Sequence, residues 1–557
     1  MMGRHAPLWK WAAGTPDTAR NGTAGNGAAP PLHLLISVGV LLLSAMLQGC
    51  VKLGPDFETP KAPVADSWTQ THEAKVKPES ADYSQWWRLF KDPVLDRLIR
   101  TAYDQNLPLR IAGVRILEAR ARLGITKGSQ YPQVQQASGS FSNTKLSENA
   151  ANFTIAGVSL DDSYNTLQFG FDLAWELDFW GRFRRGIEAA DASFAASVAA
   201  YDDLLVSLTA DVAATYVLIR TLDERLRVAR ENVEIQRRSF QIADVRFQNG
   251  EVSELDARQA ETLLRSTQAT IPALEAARRQ AQNALSILLG KTPSDLREML
   301  GGPGKIPVAP SEVVVGMPAD LLRRRPDIRR AEFDAAAQSA RIGVARADLF
   351  PQIFLAGTVG LNSSDSGGAD LIDIFGGNSI TGSVGPAFNW PILNYGRLKN
   401  NVRVQDARLQ ELIVAYQNTA LRAAQEVEDG LVGFLRAQDQ TTFLDQSVAA
   451  ARRSVDLALV QYREGLVDYS RVLDTQQLLV QQEDLLTVSR GNITRNLIGV
   501  YKALGGGWEV RREMKVVPEP TVVEMQTRTD WGDLLPADNQ DPPPPGDKST
   551  LFRPVDW

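Results

Sequence analysis

Cysteine is almost absent from this 557-residue chain: Cys50 is the only one, and histidine occurs only at positions 5, 33 and 72. Beyond residue 72 the chain therefore cannot supply a His/Cys zinc site, a cysteine nucleophile, a Ser-His-Asp triad or a disulfide. Positive charge is also short. Sixty Lys+Arg against 66 Asp+Glu give a net charge of −6, the wrong sign for displacing counterions from phosphates, so nucleic acid is excluded as a partner. With 44% hydrophobic and 23% charged residues, 42 Gly and 29 Pro, collagen, low-complexity disorder and a polytopic helical membrane protein are excluded as well. What remains is a folded, amphipathic chain without the parts of an enzyme. No catalytic residue, cofactor or metal is called for.

The one long apolar run, Leu32 to Leu47, follows Arg4, Lys10 and Arg20 and ends in Leu47-Gln48-Gly49-Cys50. It is too short for a comfortable membrane-spanning helix and reads as a secretory signal. Leu47, Gly49 and Cys50 resemble the bacterial lipobox, whose cysteine is acylated and becomes the new amino terminus; Gln48 departs from the small residue usual there. Loss of the leader removes three basic residues and Asp17, leaving a mature chain at −8.

An internal duplication organises the remainder. Ala121-Arg-Leu-Gly124 and Tyr131-Pro-Gln-Val134 correspond to Ala340-Arg-Ile-Gly343 and Phe350-Pro-Gln-Ile353, an offset of 219. Trp175 and Gly181-Arg182 correspond to Trp390 and Gly396-Arg397, Phe247-Gln-Asn-Gly250 to Tyr462-Arg-Glu-Gly465, and Leu289-Gly290 to Leu504-Gly505, an offset of 215. The four-residue difference lies between Pro132 and Trp175, as expected of a loop between conserved frames.

Within each repeat the hydrophobic period switches. Leu167, Phe169, Phe171, Leu173 and Trp175 alternate with polar or small residues, as do Ile353, Leu355, Gly357, Val359 and Leu361, while Ile380, Val384, Phe388 and Trp390 share one parity. Residues 133–143, rich in Ser and Gln, give only a weak partner strand. Each repeat thus offers a hairpin of strands about ten residues long, enough to cross a bilayer at a tilt. After Gly181 and Gly396 the period becomes helical. Ile219, Leu222, Leu226, Ala229, Val233, Gln236 and Phe240 fall at spacings of three and four, and Leu444, Val448, Ala451 and Val455 continue the register in the second repeat. A proline-free helix from Arg182 to Gln248 would be about 100 Å long. Gly250 and Gly465 interrupt the helices as hairpin tips, each followed by a second helical stretch, 251–290 and 466–504. Four membrane strands cannot close a barrel, so the chain must assemble with further copies.

Several stretches carry a resemblance beyond periodicity. Cys50-Val-Lys-Leu-Gly-Pro-Asp-Phe57, Gly316-Met-Pro-Ala-Asp-Leu-Leu-Arg-Arg-Arg-Pro-Asp-Ile328, Ala347-Asp-Leu-Phe-Pro-Gln352 and Tyr462-Arg-Glu-Gly465 with Val472-Leu-Asp474 resemble the TolC-like outer-membrane efflux factors, in the lipoprotein branch typified by NodT and OprM. The resemblance extends from Cys50 to about residue 508. It implies a mainly α fold with transmembrane β structure, in which a homotrimer closes a twelve-stranded barrel in outer-membrane lipid and the long coiled-coil helices form a periplasmic α-barrel. It also implies a passive duct that exports small toxic compounds, with a periplasmic membrane-fusion adaptor and an inner-membrane pump, usually of the RND type, as partners. A duct for a type I protein secretion system is the alternative, and a lipid-anchored coiled-coil scaffold a more remote one. The expected division is a removed signal, 1–49; a lipidated (palmitate-bearing) equatorial segment, 50–92; repeat one, 93–290; an equatorial linker, 291–325; repeat two, 326–508; and a flexible tail, 509–557.

The resemblance further assigns an entrance at the tips. Asp474, nine residues past Gly465, matches a position whose carboxylates ring the opening, where close copies would repel and attract cations. Asp256 and Tyr462 match a pair that bonds neighbouring hairpins. Arg471 stands where relatives place a second acidic ring, and Val467 where they place a basic partner, so Arg471 is expected to pair with Asp474 or Asp256. Asn249, Gly250, Glu251, Glu464, Gly465 and Leu466 are the expected adaptor contacts. Arg323-Arg-Arg325 and Arg329-Arg330 read as a helix start with a solvated face.

Overall fold

The computed structural model describes residues 51–79, 81–147, 163–294, 296–366 and 370–535. The leader, Cys50, most of the 144–163 loop and residues 536–557 lie outside the described residues.

Two helices open the described chain after an irregular amino-terminal segment. Helix α1 (Pro93–Gln105) starts at Asp92, whose carboxylate accepts from Val94 and Leu95 N–H, and α2 (Leu107–Gly128) starts at Asn106, which caps Leu109. In both, a short polar side chain satisfies a donor that the first turn leaves orphaned, with proline placed where no donor is needed. Repeat one then contributes strands β2 (Val134–Lys145) and β3 (Ser163–Leu177), and helices α3 (Arg182–Gln248) and α4 (Glu254–Leu288). Repeat two contributes α5 (Pro326–Ala347), β5 (Gln352–Ser364), β6 (Ile380–Asn389), α6 (Arg397–Arg463) and α7 (Tyr469–Ala503). Helices α3 and α6 are both 67 residues long and α4 and α7 both 35, so the duplication read from the sequence is metrically faithful. The 67-residue rods each reach about 100 Å.

The four long strands form one antiparallel sheet in the order β2-β3-β5-β6. A separate two-stranded parallel pair joins β1 (Val76–Lys77) to β4 (Val313–Val314), with Val76 opposite Val313. Around it lies the largest core, at mid-height on the helices. Trp86 stacks on Tyr501 at 5.6 Å and meets Trp87 edge-on at 5.8 Å, with Phe90, Leu95, Leu98 and Tyr216 buried alongside. Helix α3 is long and apolar enough to cross a bilayer, but its most apolar stretch is largely buried against other helices. Its coiled-coil stripe is the packed face: Ile219, Leu222, Leu226, Val233 and Gln236 are all nearly inaccessible.

Two expectations need correction. Residues 509–535 are not a flexible tail: Val516, Val517, Met525 and Leu535 join the main core, and α8 (Glu519–Arg528) lies in this stretch. Arg511 is fully buried and its Nε lies 2.5 Å from Asp202 Oδ1. The acidic, proline-rich composition that suggested mobility belongs to residues after 535; the preceding stretch carries enough apolar side chains to offset its ordering entropy. Arg325 is likewise not solvated. It is buried, paired with Asp327 at 2.7 Å and Glu426 at 2.8 Å, and donates to the Ala503 carbonyl at the end of α7.

Candidate functional site

The sheet is sided. Its register sets Phe141 opposite Leu167, Phe171 opposite Val359, Leu361 opposite Ile380 and Gly357 opposite Val384. Directly opposed residues share a face, so Phe141, Leu167, Phe169, Phe171, Val359, Leu361, Val384 and Phe388 make one continuous apolar surface. Val384 and Phe388 remain 80% and 74% accessible within the chain, an exposure that only an apolar solvent or a partner makes favourable. The other face carries Gln136, Ser138 and Ser140 from β2, Gln168 and Asp172 from β3, Thr358 and Asn362 from β5, and Thr381 and Ser383 from β6. Grease on one side and small polar groups on the other are what a wall between lipid and water requires. The strands are 10 to 15 residues long, sufficient for a tilted crossing. The weak partner strand at 133–143 is β2, which takes its register from β3. The sheet is open at β2 and β6.

Below the strands, tryptophans fix the junction with the helices. Trp175 Nε1 donates to the Gln130 carbonyl and Trp390 Nε1 to the Leu349 carbonyl, both at 3.1 Å. The segment that follows Cys50 is pinned at this level. Leu53 N–H donates to the Trp180 carbonyl at 3.1 Å, Lys52 pairs with Glu188 at 2.9 Å, and the buried Arg185 donates to the carbonyls of Leu53 and Gly54. Gly54 is held at φ +90°, and a Cβ there would come within 2.4 Å of Gly343 Cα; only glycine permits the approach.

At the opposite end, the two tips are built alike. Gly250 and Gly465 have φ of +73° and +74°; Glu251 N–H returns to the Arg246 carbonyl and Leu466 N–H to the Gln461 carbonyl, each at 2.9 Å. These are left-handed glycine caps that satisfy the last helical carbonyls. All six predicted tip residues, Asn249, Gly250, Glu251, Glu464, Gly465 and Leu466, are exposed.

Just inside the tips a small cluster joins the hairpins. Tyr462 and Tyr469 meet edge-on at 5.3 Å and are buried with Ala243, Ala260, Ala458 and Val472. The Arg246 guanidinium lies 4.8 Å over the Tyr462 ring, donates to the Tyr462 carbonyl and pairs with Glu251 at 3.1 Å. Sequence reasoning missed Arg246, because nothing local distinguishes it from the other arginines along α3. The expected Tyr462–Asp256 bond is not formed. Among the described residues the buried Tyr462 hydroxyl has no partner, and Asp256 accepts instead from Ser253 Oγ at 3.3 Å. Burial, reinforced by the nearby Asp256 charge and opposed by Arg246, raises the Tyr462 pKa above the usual phenol range. Asp474 and Arg471 are exposed, and among the described residues neither pairs with the other or with Asp256 within the chain. Val467 packs against the tyrosine cluster.

Above this cluster the α3–α7 interface turns polar. Asn232 donates to Glu483 at 2.7 Å, Arg452 donates to the same carboxylate at 2.8 Å, and Gln476 donates to Ser239 at 2.6 Å. Gln236, 1% exposed, finds no partner for either amide atom among the described residues. The link between hairpins is thus apolar at mid-height, polar below it and aromatic at the tip.

Residues 98–291 and 317–506 match the outer membrane efflux protein family, one segment in each repeat. Over 487 residues the chain is 31% identical to a probable outer membrane lipoprotein, SilC, of Salmonella typhimurium, covering 85% of this chain and 98% of that relative. Over 480 residues it is 33% identical to SrpC of Pseudomonas putida, a solvent efflux pump outer membrane protein, covering 84% and 97%. The outer-membrane channel OprN superposes with a TM-score of 0.76 at 31% identity, covering 82% of this chain and 99% of that one.

Proposed function

The chain belongs to the outer membrane efflux protein family, and on that footing we propose that it is the passive outer-membrane duct of a tripartite efflux system that exports small toxic compounds. It resides in the outer membrane and works as a trimer. Three copies of the four-stranded sheet close a twelve-stranded barrel, which pairs every edge that a single chain leaves open. The observation that carries the reading is the two-faced sheet mounted on four long helices. Its apolar face meets lipid, its Ser, Gln, Thr and Asp172 face lines water, and the helices continue the conduit into the periplasm.

The finer assignments rest on the family resemblance and on where these residues lie along the chain. Cys50 carries the acyl anchor, supported by the pinning of Lys52 to Gly54 at the strand–helix junction, the level at which a lipid reaches the bilayer. The tips at Gly250 and Gly465 contact a periplasmic adaptor, and an inner-membrane pump of the RND class supplies the energy. Six glycine tips per trimer suit a sixfold adaptor ring. Asp474, Arg471, Asp256 and Tyr462 form the entrance, where three copies of the exposed Asp474 gather negative charge and favour cations. Purified protein in a planar bilayer should give stepwise, cation-preferring currents that lose their cation preference in Asp474→Ala. A silent bilayer would overturn the duct, and unchanged selectivity in the variant would overturn the Asp474 ring alone.

A further inference from the structure

The duplication gives a rule for the contact between copies at the base of the strands. In repeat one, Trp180 reaches across to repeat two of the same chain: Nε1 donates to the Pro351 carbonyl at 2.8 Å, and its ring lies 4.7 Å from that of Phe350. The position equivalent to Trp180 in repeat two is Tyr395. The positions equivalent to Phe350 and Pro351 in repeat one are Tyr131 and Pro132. Equivalence at this level is physical as well as sequential, since Trp175 and Trp390 make the same bond, at the same length, to the equivalent carbonyls of Gln130 and Leu349.

Within one chain Tyr395 is stranded. It is 97% exposed, and its neighbours Ile392 and Leu393 are 71% and 83% exposed. Leu393 occupies the place of Asp178, whose carboxylate accepts from the N–H groups of Phe183 and Arg184 at the start of α3. The second repeat has thus exchanged a helix cap for an exposed leucine. Tyr395 also holds a left-handed φ of +49°, whereas Trp180 does not. A bulky residue in that region costs energy, and among the described residues its side chain, 97% exposed, gains no packing that offsets it. Apolar exposure and backbone strain coincide on one six-residue turn, Trp390 to Tyr395.

In a closed ring built from alternating repeats, each repeat-one to repeat-two contact inside a chain has a quasi-equivalent contact from repeat two to repeat one of the next copy. We propose that the Trp390–Tyr395 turn is the inter-subunit seam: Tyr395 packs on Tyr131 and Pro132 of the next copy, as Trp180 packs on Phe350 and Pro351 within its own. Tyr131 lies beside the open β2 edge and is 41% exposed. The seam therefore continues directly from the β6 edge to the β2 edge that closure must join. The partner is a second copy of this chain, and the inference rests on the duct reading above.

The test separates the two. Two differently tagged full-length chains, one Tyr131→Cys and one Tyr395→Cys, are co-expressed and treated in outer-membrane fractions with a short bis-maleimide; an amine-reactive cross-linker is applied in parallel to the unmodified protein. The expected result is a covalent two-chain product carrying both tags, absent when either substitution is expressed alone. A trimer ladder with the amine reagent but no doubly tagged product would overturn the seam and leave the duct standing. Monomer alone with the amine reagent would overturn the duct. In a second measurement, Tyr395→Ala should shorten the lifetime of the detergent-solubilised trimer by about tenfold or more, the loss typical of a well-packed aromatic anchor, while its far-UV circular dichroism is retained. An unchanged lifetime would overturn the seam.

Discussion

The link between the two hairpins at the entrance can be weighed from the contacts of Arg246. Arg246→Ala removes a charge-assisted hydrogen bond to the Tyr462 carbonyl and a cation–π contact at 4.8 Å, as well as an ion pair with the half-exposed Glu251. The hydrogen bond contributes about 1.5–3 kcal/mol and the ring contact about 0.5–2 kcal/mol, while the ion pair adds little once screened. Both main contacts converge on one residue and are not additive, so roughly 2–4 kcal/mol per chain is the expected loss. That is a shift of roughly 30- to 700-fold in any equilibrium that separates the hairpins. Tyr462→Phe is the matched control: the hydroxyl it deletes has no partner among the described residues, so the link should be unchanged within about 1 kcal/mol. Single-channel recording should show Arg246→Ala with a much larger open fraction and Tyr462→Phe close to the unmodified protein. Equal behaviour of the two variants, or an unchanged Arg246→Ala, would mean that Arg246 does not hold the hairpins together.

Three further outcomes follow from other contacts. Asp202→Ala leaves Arg511 buried without its carboxylate and should cost about 3–5 kcal/mol, read as loss of folded trimer in urea titration; a loss below 1 kcal/mol would contradict the burial. Asp203 has its pKa raised chiefly by burial and further by Asp327, against Arg325, Arg330 and Lys502. A carboxyl raised in the folded state favours folding below its unfolded pKa and loses that contribution as pH rises through its folded value. Asp203→Asn should therefore raise the melting temperature at neutral pH, with the gain shrinking as pH falls toward the ordinary carboxylate range; a constant gain would point to packing instead. Substituting valine at both Gly250 and Gly465 should cost about 1–2 kcal/mol at each left-handed position, leave the barrel folded because both tips are exposed, and abolish capture of a purified adaptor; retained capture would remove the tips from that contact.

The rods and their tips were legible because a helix writes its packing into a 3.6-residue period. Arg182–Gln248 was readable to the residue, since glycine stands at or just beyond each end and no proline intervenes. Strands β3, β5 and β6 were legible through one-sided alternation. β2 was faint, because its lumen-facing serines carry no apolar contrast and its register comes from pairing with β3. The tail from 509 to 535 is misread because its composition is polar on average, although Val516, Val517, Met525 and Leu535 reach the core. Arg325 and Arg246 show the commoner limit. An arginine's partners, here Glu426 and Tyr462, lie 101 and 216 residues away, and no local pattern announces them. The exposed Tyr395 was invisible for a related reason: only the contrast with Trp180 in the folded chain marks it.

If one chain supplies a third of a hollow cylinder, native mass spectrometry of the detergent-extracted protein should give a dominant species of three mature chains, with no populated monomer until the detergent is made denaturing. A stable single chain under the same gentle conditions would rule the cylinder out.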